Sequence, residues 1–566
     1  MKLTIGITGH RDLLESEKPN LREQVRAFFL RMRAQFPGLE LQLISPLAEG
    51  ADQLVAEVAT DLDIPLIVPL PMEIFQYEKD FATKDGLENF RKLKNRGHVV
   101  SLPLVKGSTP ECIHSPGAAR DWQYAQLGVF VSNHCQILLA LWNGKPDDQV
   151  GGTAGVVNYH LTAVMPGFEL EEESPNLLAD NENDLLYQIV VSRERESGAP
   201  LEGLEPLQEY WLSAHFERTV ADEMPFDYRI TLQRLHEYQA DVHKYEDRIL
   251  AEADSLLDAD SDFPLPGGAR RVNRLFGQAD WLAIHFQKRV HQGMMVVHLL
   301  AVMMGLVFLI YAEYEGPQFL IYLFLALFGA GFIFHAIGER REWHRKYLDY
   351  RALAEGLRVQ LFWNLAGVVE TQSAVFAYDN FLQKQDVDLG WIRHVMRSAS
   401  LWRDRTEEPG DDWVPWVIDK WVGSSGEGGQ LAYYHRKSLQ KAKGYQRTTR
   451  LGAISLWSGI LIAAILAVAG GQLSPQSFQV MLVLTGVLPL IAGVRDTYSH
   501  KRAERELIKQ YQFMTKVFGN AGRLLEHASD IHFQRRVLKA VGAAALEEHA
   551  EWILMHRERP LEHGGL

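Results

Sequence analysis

The sequence predicts an α/β Rossmann-like N-terminal domain, followed by an all-α membrane domain with four transmembrane helices and a cytoplasmic helical stalk. Three observations lead there. Short apolar runs alternate with helical stretches early in the chain, four long apolar runs stand in its second half, and Arg and Lys collect on one side of every long run.

The first apolar run, residues 3–8, ends in Gly9-His10-Arg11-Asp12. Further strand candidates are Leu39–Ser45, Pro65–Pro69, His98–Leu104 and Cys135–Trp142, with helical stretches such as Leu21–Gln35 and Ala51–Asp61 between the early ones. Strands alternating with helices imply a parallel, doubly wound sheet. Ligands of such sheets bind beyond the carboxyl ends of the strands. Thr8, Gly9, His10 and Arg11 follow the first strand, and Ala48-Glu49-Gly50-Ala51-Asp52 opens a helix after the second. After the last strand come Trp142, Asn143 and Gly144, then Gly151, Gly152, Thr153 and Ala154 before another helix. Glycines at a helix start let backbone N–H groups approach a phosphate, and the helix dipole favours the anion. Arg11 is the natural charge partner, because a guanidinium matches phosphate bidentately. His10 is read as a phosphate contact or a local hydrogen bonder, and Trp142 as a base-stacking ring or strand core. Tyr77, Asp80 and Phe81 follow the third strand, where they reach a ribose or base or simply pack a helix.

Four runs approach or meet the roughly 18 residues needed to cross a bilayer as a helix: Met294–Tyr311, Phe319–Gly338, Leu451–Ala469 and Val480–Val494. Lys288 and Arg289 precede the first, and Arg340, Arg341, Arg345 and Lys346 follow the second. Five cations from Lys437 to Arg450 lead into the third, and Arg495, Lys501, Arg502 and Arg505 follow the fourth. The turns 313–317 and 470–475 hold no Lys or Arg. The positive-inside rule therefore places both termini in the cytoplasm, with Tyr311, Tyr314 and Tyr322 at the outer interface. The two halves read as a repeat, each with a Pro-Gln turn (317–318, 475–476) and a basic trailing helix. Trp343, Tyr347, Tyr350, Ala354, Leu357 and Leu361 form a heptad stripe, as do Leu507, Tyr511, Met514, Phe518, Ala521 and Leu525. Such stripes pack on a helix of the same chain or of a neighbour. A similar stripe, Leu235, Tyr238, Val242, Tyr245 and Ile249, is expected to carry the membrane domain into the cytoplasm as a stalk.

Bulk values conceal this division. The chain has 566 residues, 23% of them charged, and a mean hydropathy of −0.14, figures that suit a cytosolic enzyme. Its net charge is −14 with no clustered cations among aromatics, which argues against nucleic acid as a partner. Two cysteines, Cys112 and Cys135, stand outside any Cys-x-x-Cys spacing, so neither zinc nor a disulfide framework is expected. No signal peptide is read at Met1–Ile5. His285, His291 and His298 lack a carboxylate to complete a metal set. Glu547, Glu548, His549 and His556 read as a solvated helix face, and His298 and His335, inside spans, as pore-lining or helix-bridging groups.

The motifs Thr8–Arg11, Ala48–Asp52, Leu139–Gly144 and Gly151–Ala154 together resemble the SLOG family. This is the Rossmann-like superfamily that includes DprA-like proteins and the LOG phosphoribohydrolases. The membrane part resembles SLATT domains, two-span modules of bacterial conflict systems, on the segment Trp343 to Arg358. A more distant likeness is to the nucleotide-sensing domain of TRPM channels. The resemblance implies a SLOG-like domain over 1–170, a linker with cytoplasmic helices over 171–270 and a first hairpin over 271–370. A cytoplasmic connector over 371–435 and a second hairpin over 436–566 complete it.

It also implies ligand contacts from Thr8, Gly9, His10, Arg11, Glu49, Gly50, Ala51, Asp52, Trp142, Asn143, Gly144, Gly151, Gly152, Thr153 and Ala154. The ligand would be a nucleotide-derived signal, an ADP-ribose derivative or a cyclic nucleotide, with no other cofactor. LOG enzymes use a Pro-Gly-Gly-x-Gly-Thr-x-x-Glu motif, in which this chain has Val150 for Pro, Ala154 for Gly and Asn158 for the catalytic Glu. An amide cannot exchange a proton as a carboxylate does, so no enzyme is expected unless Glu49 substitutes. The implied protein is a homo-oligomeric effector, a tetramer for preference, in a bacterial inner membrane, forming a pore or disrupting the bilayer in antiviral defence. The alternatives are a housekeeping nucleotide-regulated ion channel and a membrane-tethered nucleotide N-glycosidase.

Overall fold

The computed structural model describes residues 2–147, 149–168, 185–257, 265–266, 268–313, 318–368, 387–402, 411–423 and 428–557. The chain divides into two compact units. One comprises Met1–Phe276 and Gly356–Trp413, the other Gly277–Glu355 and Val414–Leu566.

The first unit is built on strands β1 (Lys2–Gly9), β2 (Glu40–Ile44), β3 (Leu66–Leu70), β4 (His98–Ser101), β5 (Ile137–Trp142), β6 (Leu185–Val190), β7 (Glu209–Leu212) and β8 (Arg218–Val220). Its helices are α1 (Lys18–Gln35), α2 (Ala51–Asp61), α3 (Ile74–Tyr77), α4 (Lys84–Lys94), α5 (Ala118–His134), α6 (Thr153–Thr162), α7 (Phe226–Lys244) and α8 (Glu246–Glu252). Then come α9 (Ala269–Glu313), α10 (Phe319–Arg340), α11 (Trp343–Ala366), α12 (Gly390–Ser400), α13 (Trp413–Val417), α14 (Gly429–Ala469), α15 (Pro475–Lys501), α16 (Glu504–Glu526) and α17 (Ile531–Arg557).

One sheet runs in the order β4-β3-β2-β1-β5-β6-β7-β8. The pairings from β4 to β6 are parallel, and β7 and β8 add antiparallel. Leu3, Ile5 and Ile7 of β1 and every residue of β5 are buried, as central strands covered by helices on both faces require. After β1 the chain steps to β2, β3 and β4 on one side, then returns to place β5 and β6 on the other. The reversal lies between β1 and β5, the position at which doubly wound sheets open a crevice. The sheet also continues past residue 170, through β6 to β8; residues 169–184 lie outside the described part.

The stripe from Leu235 to Ile249 falls on α7 and α8 and belongs to this unit. Leu235 and Tyr238 are fully buried, and the Tyr238 ring lies 5.3 Å from that of Trp391 on α12. Every residue of α12 is buried. Gln360 Nε2 donates to the Met396 carbonyl at 3.0 Å, and Ser400 Oγ lies 3.2 Å from His134 Nε2 on α5. The stripe read as a stalk is thus covered by the unit's own helix. Of the expected connector, 371–386, 403–410 and 424–427 lie outside the described residues.

In the second unit, four helical segments are long and apolar enough to cross a membrane: α9, α10 running on into α11, α14 and α15. Among its described residues α10 buries none. Phe332 is 63% exposed, Trp457 66% and Val468 89%. A helix apolar all round needs an apolar surrounding, and soluble proteins do not expose patches of this extent. The chain is a membrane protein.

Small residues set the packing of these helices. A Cβ on Gly305 of α9 would lie 2.3 Å from Leu490 of α15, and one on Gly486 of α15 would lie 2.8 Å from Leu309 of α9. The two Gly-x-x-x-Leu steps interlock reciprocally, the close approach that bilayer helices use. Gly459 of α14 makes room for the ring of Pro489, 2.9 Å from its would-be Cβ. Ser455 beside it donates to the Leu488 carbonyl at 2.8 Å, bonding the backbone next to the proline. Both heptad stripes are mostly buried within the chain: Tyr350, Ala354, Leu357 and Leu361 on α11, and Met514, Phe518, Ala521 and Leu525 on α16. Tyr434 stacks on Phe518 at 5.6 Å.

One expectation lies partly outside the described residues, and one changes. Tyr322 is exposed at the end of α10, but Tyr314 lies outside the described residues. The C-terminal face read as solvated is partly core. His549 is 7% exposed and stacks on Trp552, which meets Tyr347 of α11 edge-on at 5.9 Å. The fully buried Asp349 accepts from Arg345 and Arg557, each at 2.9 Å. Apolar Trp552 and Ile553 share this helix, and they draw the histidine inward with them.

Gly305→Leu and Gly486→Leu should each destabilise the full chain by about 1–3 kcal/mol through overpacking. Gly329→Leu, which meets no atom within 4 Å, should be near neutral. Thermal unfolding in detergent checks the contrast, and equal effects at all three positions would refute the interlock.

Candidate functional site

A cleft of about 400 Å³ opens at the carboxyl ends of β1, β2, β3 and β5. Its floor follows from two glycines. A Cβ on Gly9 would lie 2.3 Å from that of Ala51 and 3.0 Å from the Leu141 carbonyl oxygen, so only glycine lets β1, α2 and β5 converge. Gly50 has φ +85°, and a Cβ there would lie 2.3 Å from the Arg11 carbonyl oxygen. The loop after β1 is pinned between them: His10 N–H donates to the Leu141 carbonyl and Ala51 N–H to the His10 carbonyl, each at 3.1 Å. The first free donor of α2 is thereby used by the protein itself, so Gly50 and Ala51 shape the floor and are not among its walls.

Arg11 is exposed to the solvent of the cleft, and its guanidinium lies 5.6 Å from the Tyr124 ring centre. Partial desolvation by the cleft walls works against its charge, but Tyr124, Tyr77 and Asp52 outweigh that and raise the Arg11 pKa above its ordinary value. His10 is buried, with Nε2 3.0 Å from Asn143 Oδ1. Burial first, then Arg193, lowers its pKa to about 4, so it is neutral near pH 7 and offers hydrogen bonding without charge. Burial pushes the Asp52 carboxyl up to about 7, against the pull of Arg11 and of the Ala48 N–H.

The opposite wall is the turn into α6. Gly151 has φ +73°, and a Cβ there would lie 2.6 Å from the Ala125 backbone nitrogen, so the turn is pressed against α5. Gly152 N–H is taken by the Gln149 carbonyl. The next N–H groups, from Thr153 on, open a helix and have no partner within it. Thr8, Gly9, His10, Arg11, Asp52, Gly151, Gly152 and Thr153 all line the cleft. Asn143 supports it from behind through His10. Trp142, Gly144 and Ala154 do not line it: Trp142 is buried with its Nε1 donating to the Lys145 carbonyl at 3.0 Å, Ala154 packs in the core cluster, and Gly144 turns the chain beside Leu204. Glu49 accepts from the N–H groups of Ala82 and Thr83 at 2.8 and 2.9 Å and from the Thr83 hydroxyl. Although burial opposes it, those bonds hold the Glu49 carboxyl below its ordinary range. It ties down the turn before α4 and is not among the cleft walls. Asn158, in the place of the catalytic Glu of LOG enzymes, donates to the Val164 carbonyl at 2.6 Å and likewise does not line the cleft.

Tyr77 and Asp80 reach the cleft, whereas Phe81 packs on Phe90 at 4.9 Å. Tyr77 donates its hydroxyl to the Pro46 carbonyl at 3.1 Å. Asp80 accepts from both Arg120 and Tyr124. Arg120, Tyr124 and Arg193 are lining residues that sequence reasoning missed. The signal for the first two was their i, i+4 spacing on the helix before β5. Arg193, whose Nε donates to Asp12 Oδ1 at 2.7 Å, follows β6, a strand not read from the sequence. The pairs Asp12–Arg193 and Asp80–Arg120 are internally compensated, so Arg11 and the α6 turn remain the anion-attracting features. Among the described residues no His, Cys, Asp and Glu group could hold a metal ion. No family model, curated protein or solved structure matches this chain; the cleft is read on its own chemistry.

An unfolded aspartate titrates near 3.9, about three units below Asp52 in the fold. Between pH 4 and 7 the folded chain therefore holds a proton that the unfolded chain has lost. The associated stability is present below about pH 4 and lost as pH rises towards 7. Asp52→Asn should flatten this slope and be more stable than the parent at pH 8, by on the order of 4 kcal/mol. Unfolding across pH 4–8 in detergent tests it, and parallel profiles for the two proteins would contradict it.

Proposed function

We propose that this chain is a ligand-gated membrane effector whose α/β unit binds a nucleotide-derived signal in the switch-point cleft. The observation that carries the reading is the placement of Arg11 and the glycine turn into α6 on walls of one cleft. A phosphate between them meets a guanidinium and the positive end of a helix. Asp121 and Asp147, also on the walls, are acceptors suited to ribose hydroxyls. α9 and α11 each carry residues of both units, which supplies a continuous backbone through which ligand occupancy biases the spans. Gating of this kind requires the ligand to bind one state better than the other. A homo-oligomer, a tetramer for preference, would form the pore in a bacterial inner membrane with both termini cytoplasmic. In this reading the output is bilayer permeabilisation in antiviral defence, and the ligand an ADP-ribose derivative or a cyclic nucleotide.

A second reading, a membrane-tethered nucleotide hydrolase, has Asp52 in its favour, because a cleft carboxyl titrating near 7 exchanges protons readily at neutral pH.

Arg11→Ala should weaken binding of ADP-ribose or cyclic AMP to the full chain by roughly tenfold or more, from the loss of charge-assisted hydrogen bonds. Equilibrium dialysis measures this. Reconstituted protein should release a trapped dye from liposomes only when the nucleotide that binds is present. Absence of leakage with any bound nucleotide would sink the effector reading, and base release abolished by Asp52→Asn would favour the hydrolase.

A further inference from the structure

In the second unit α9 and α10 leave a groove of about 260 Å³ between them, closed at one end by Arg289, Trp343 and Lys501. Its walls are apolar along most of their length, with Val297, Leu300, Met304, Leu327, Phe328 and Phe334 among them. Glycines keep it open. A Cβ on Gly293 would lie 3.5 Å from Phe334, one on Gly331 3.9 Å from Leu300, and one on Gly338 3.9 Å from Trp343. None of these is a clash, so the glycines are not forced by packing, and any larger side chain there would fill the groove.

The groove has a polar head and a long, mostly apolar body, interrupted by His298 on α9, whose Nδ1 lies 2.7 Å from the Met294 carbonyl oxygen, and by His335 on α10. From Arg289 to Met304 α9 rises about 22 Å at 1.5 Å per residue. One leaflet of the hydrocarbon core measures about 15 Å, so the groove spans a leaflet and reaches the headgroup layer beyond it. At that level Arg289 stands 5.5 Å from the Trp343 ring centre, and its Nε donates to His285 Nε2 at 3.0 Å. No carboxylate pairs with Arg289 among the described residues. A guanidinium carries five donors in a planar fork that fits phosphate oxygens, and Lys501 adds a second cation. Basic pockets between membrane helices take anionic headgroups, and tryptophan settles at the interface.

We infer that this groove is a binding site for an anionic phospholipid, with one acyl chain between α9 and α10 and its phosphate on Arg289 and Lys501. The site joins the first hairpin to α15 through Lys501, so an occupied groove tethers the two hairpins. The inference rests on the spans and not on any ligand of the α/β unit, and no nucleotide enters its test.

The test is native mass spectrometry of the full chain in detergent, with phosphatidylglycerol or phosphatidylcholine of identical chains added. Phosphatidylglycerol should be retained on the order of thirtyfold more than phosphatidylcholine, from about 1 kcal/mol for each of the two cations. Arg289→Ala combined with Lys501→Ala should bring the two lipids level. Gly331→Leu should lower retention of both, and Arg289→Lys, which keeps the charge, should preserve the preference should the double variant fail to fold. Equal retention by the parent, or an undiminished preference in the folded double variant, overturns the inference. Stabilisation by glycerol 3-phosphate alone to the same extent as by the lipid would also overturn it, because the acyl groove would then play no part.

Discussion

A side chain at position 9 would meet Ala51 at 2.3 Å and the backbone of β5 at 3.0 Å, and the geometry of the cleft depends on that exclusion. With glycine there, β1 and β5 lie in parallel register while the start of α2 closes over the end of β1. Gly50 continues the same contact against the Arg11 carbonyl. The result is a loop with its backbone committed to the protein and its side chains turned to the cleft. His10 is held neutral by burial, and Arg11 keeps its charge beside Asp52, Tyr77 and Tyr124. A glycine that looks like part of a phosphate cradle serves here to seat the groups that form one wall of the cleft.

The membrane helices use the same device with a different consequence. Where Gly305, Gly486 and Gly459 accept Leu490, Leu309 and Pro489, backbones approach and the hairpins lock. Where Gly293 and Gly331 face the opposite helix, and Gly338 faces Trp343, without such a knob, space is left. Without a hydrophobic drive between helices in lipid, close packing at some glycines and vacancy at others decides which faces meet protein and which meet lipid.

Some elements were legible residue by residue. Ala51–Asp61 is the α2 helix with the bounds the sequence suggests, because a glycine start and an apolar face are local signals. The strands β1 to β5 fall within a few residues of their apolar runs. The site was legible in part. Thr8 to Arg11, Asp52 and Gly151 to Thr153 do converge, since all follow strands whose order in a doubly wound sheet is constrained. Glu49 and Trp142 sit beside these residues in sequence yet outside the lining. Glu49 is one residue from a left-handed glycine that turns it towards Thr83, and Trp142 is still within β5, on a buried face.

What the sequence determined by itself was where the membrane helices lie and that an α/β sheet precedes them. Hydropathy and strand–helix alternation are properties of contiguous residues, and no partner is needed to read them. Only the tertiary structure decided that the Leu235 stripe packs on α12 within the first unit, that His549 is buried, and that Arg120, Tyr124 and Arg193 share the cleft with Arg11. Each of these depends on segments far apart in the chain. A heptad stripe states that a helix has a partner and leaves the partner unnamed. The cleft is assembled from loops after five strands, β1, β2, β3, β5 and β6, and from residues of α2, α3, α5 and α6, and strand order and register, set by packing across the whole sheet, determine which of their residues face one another.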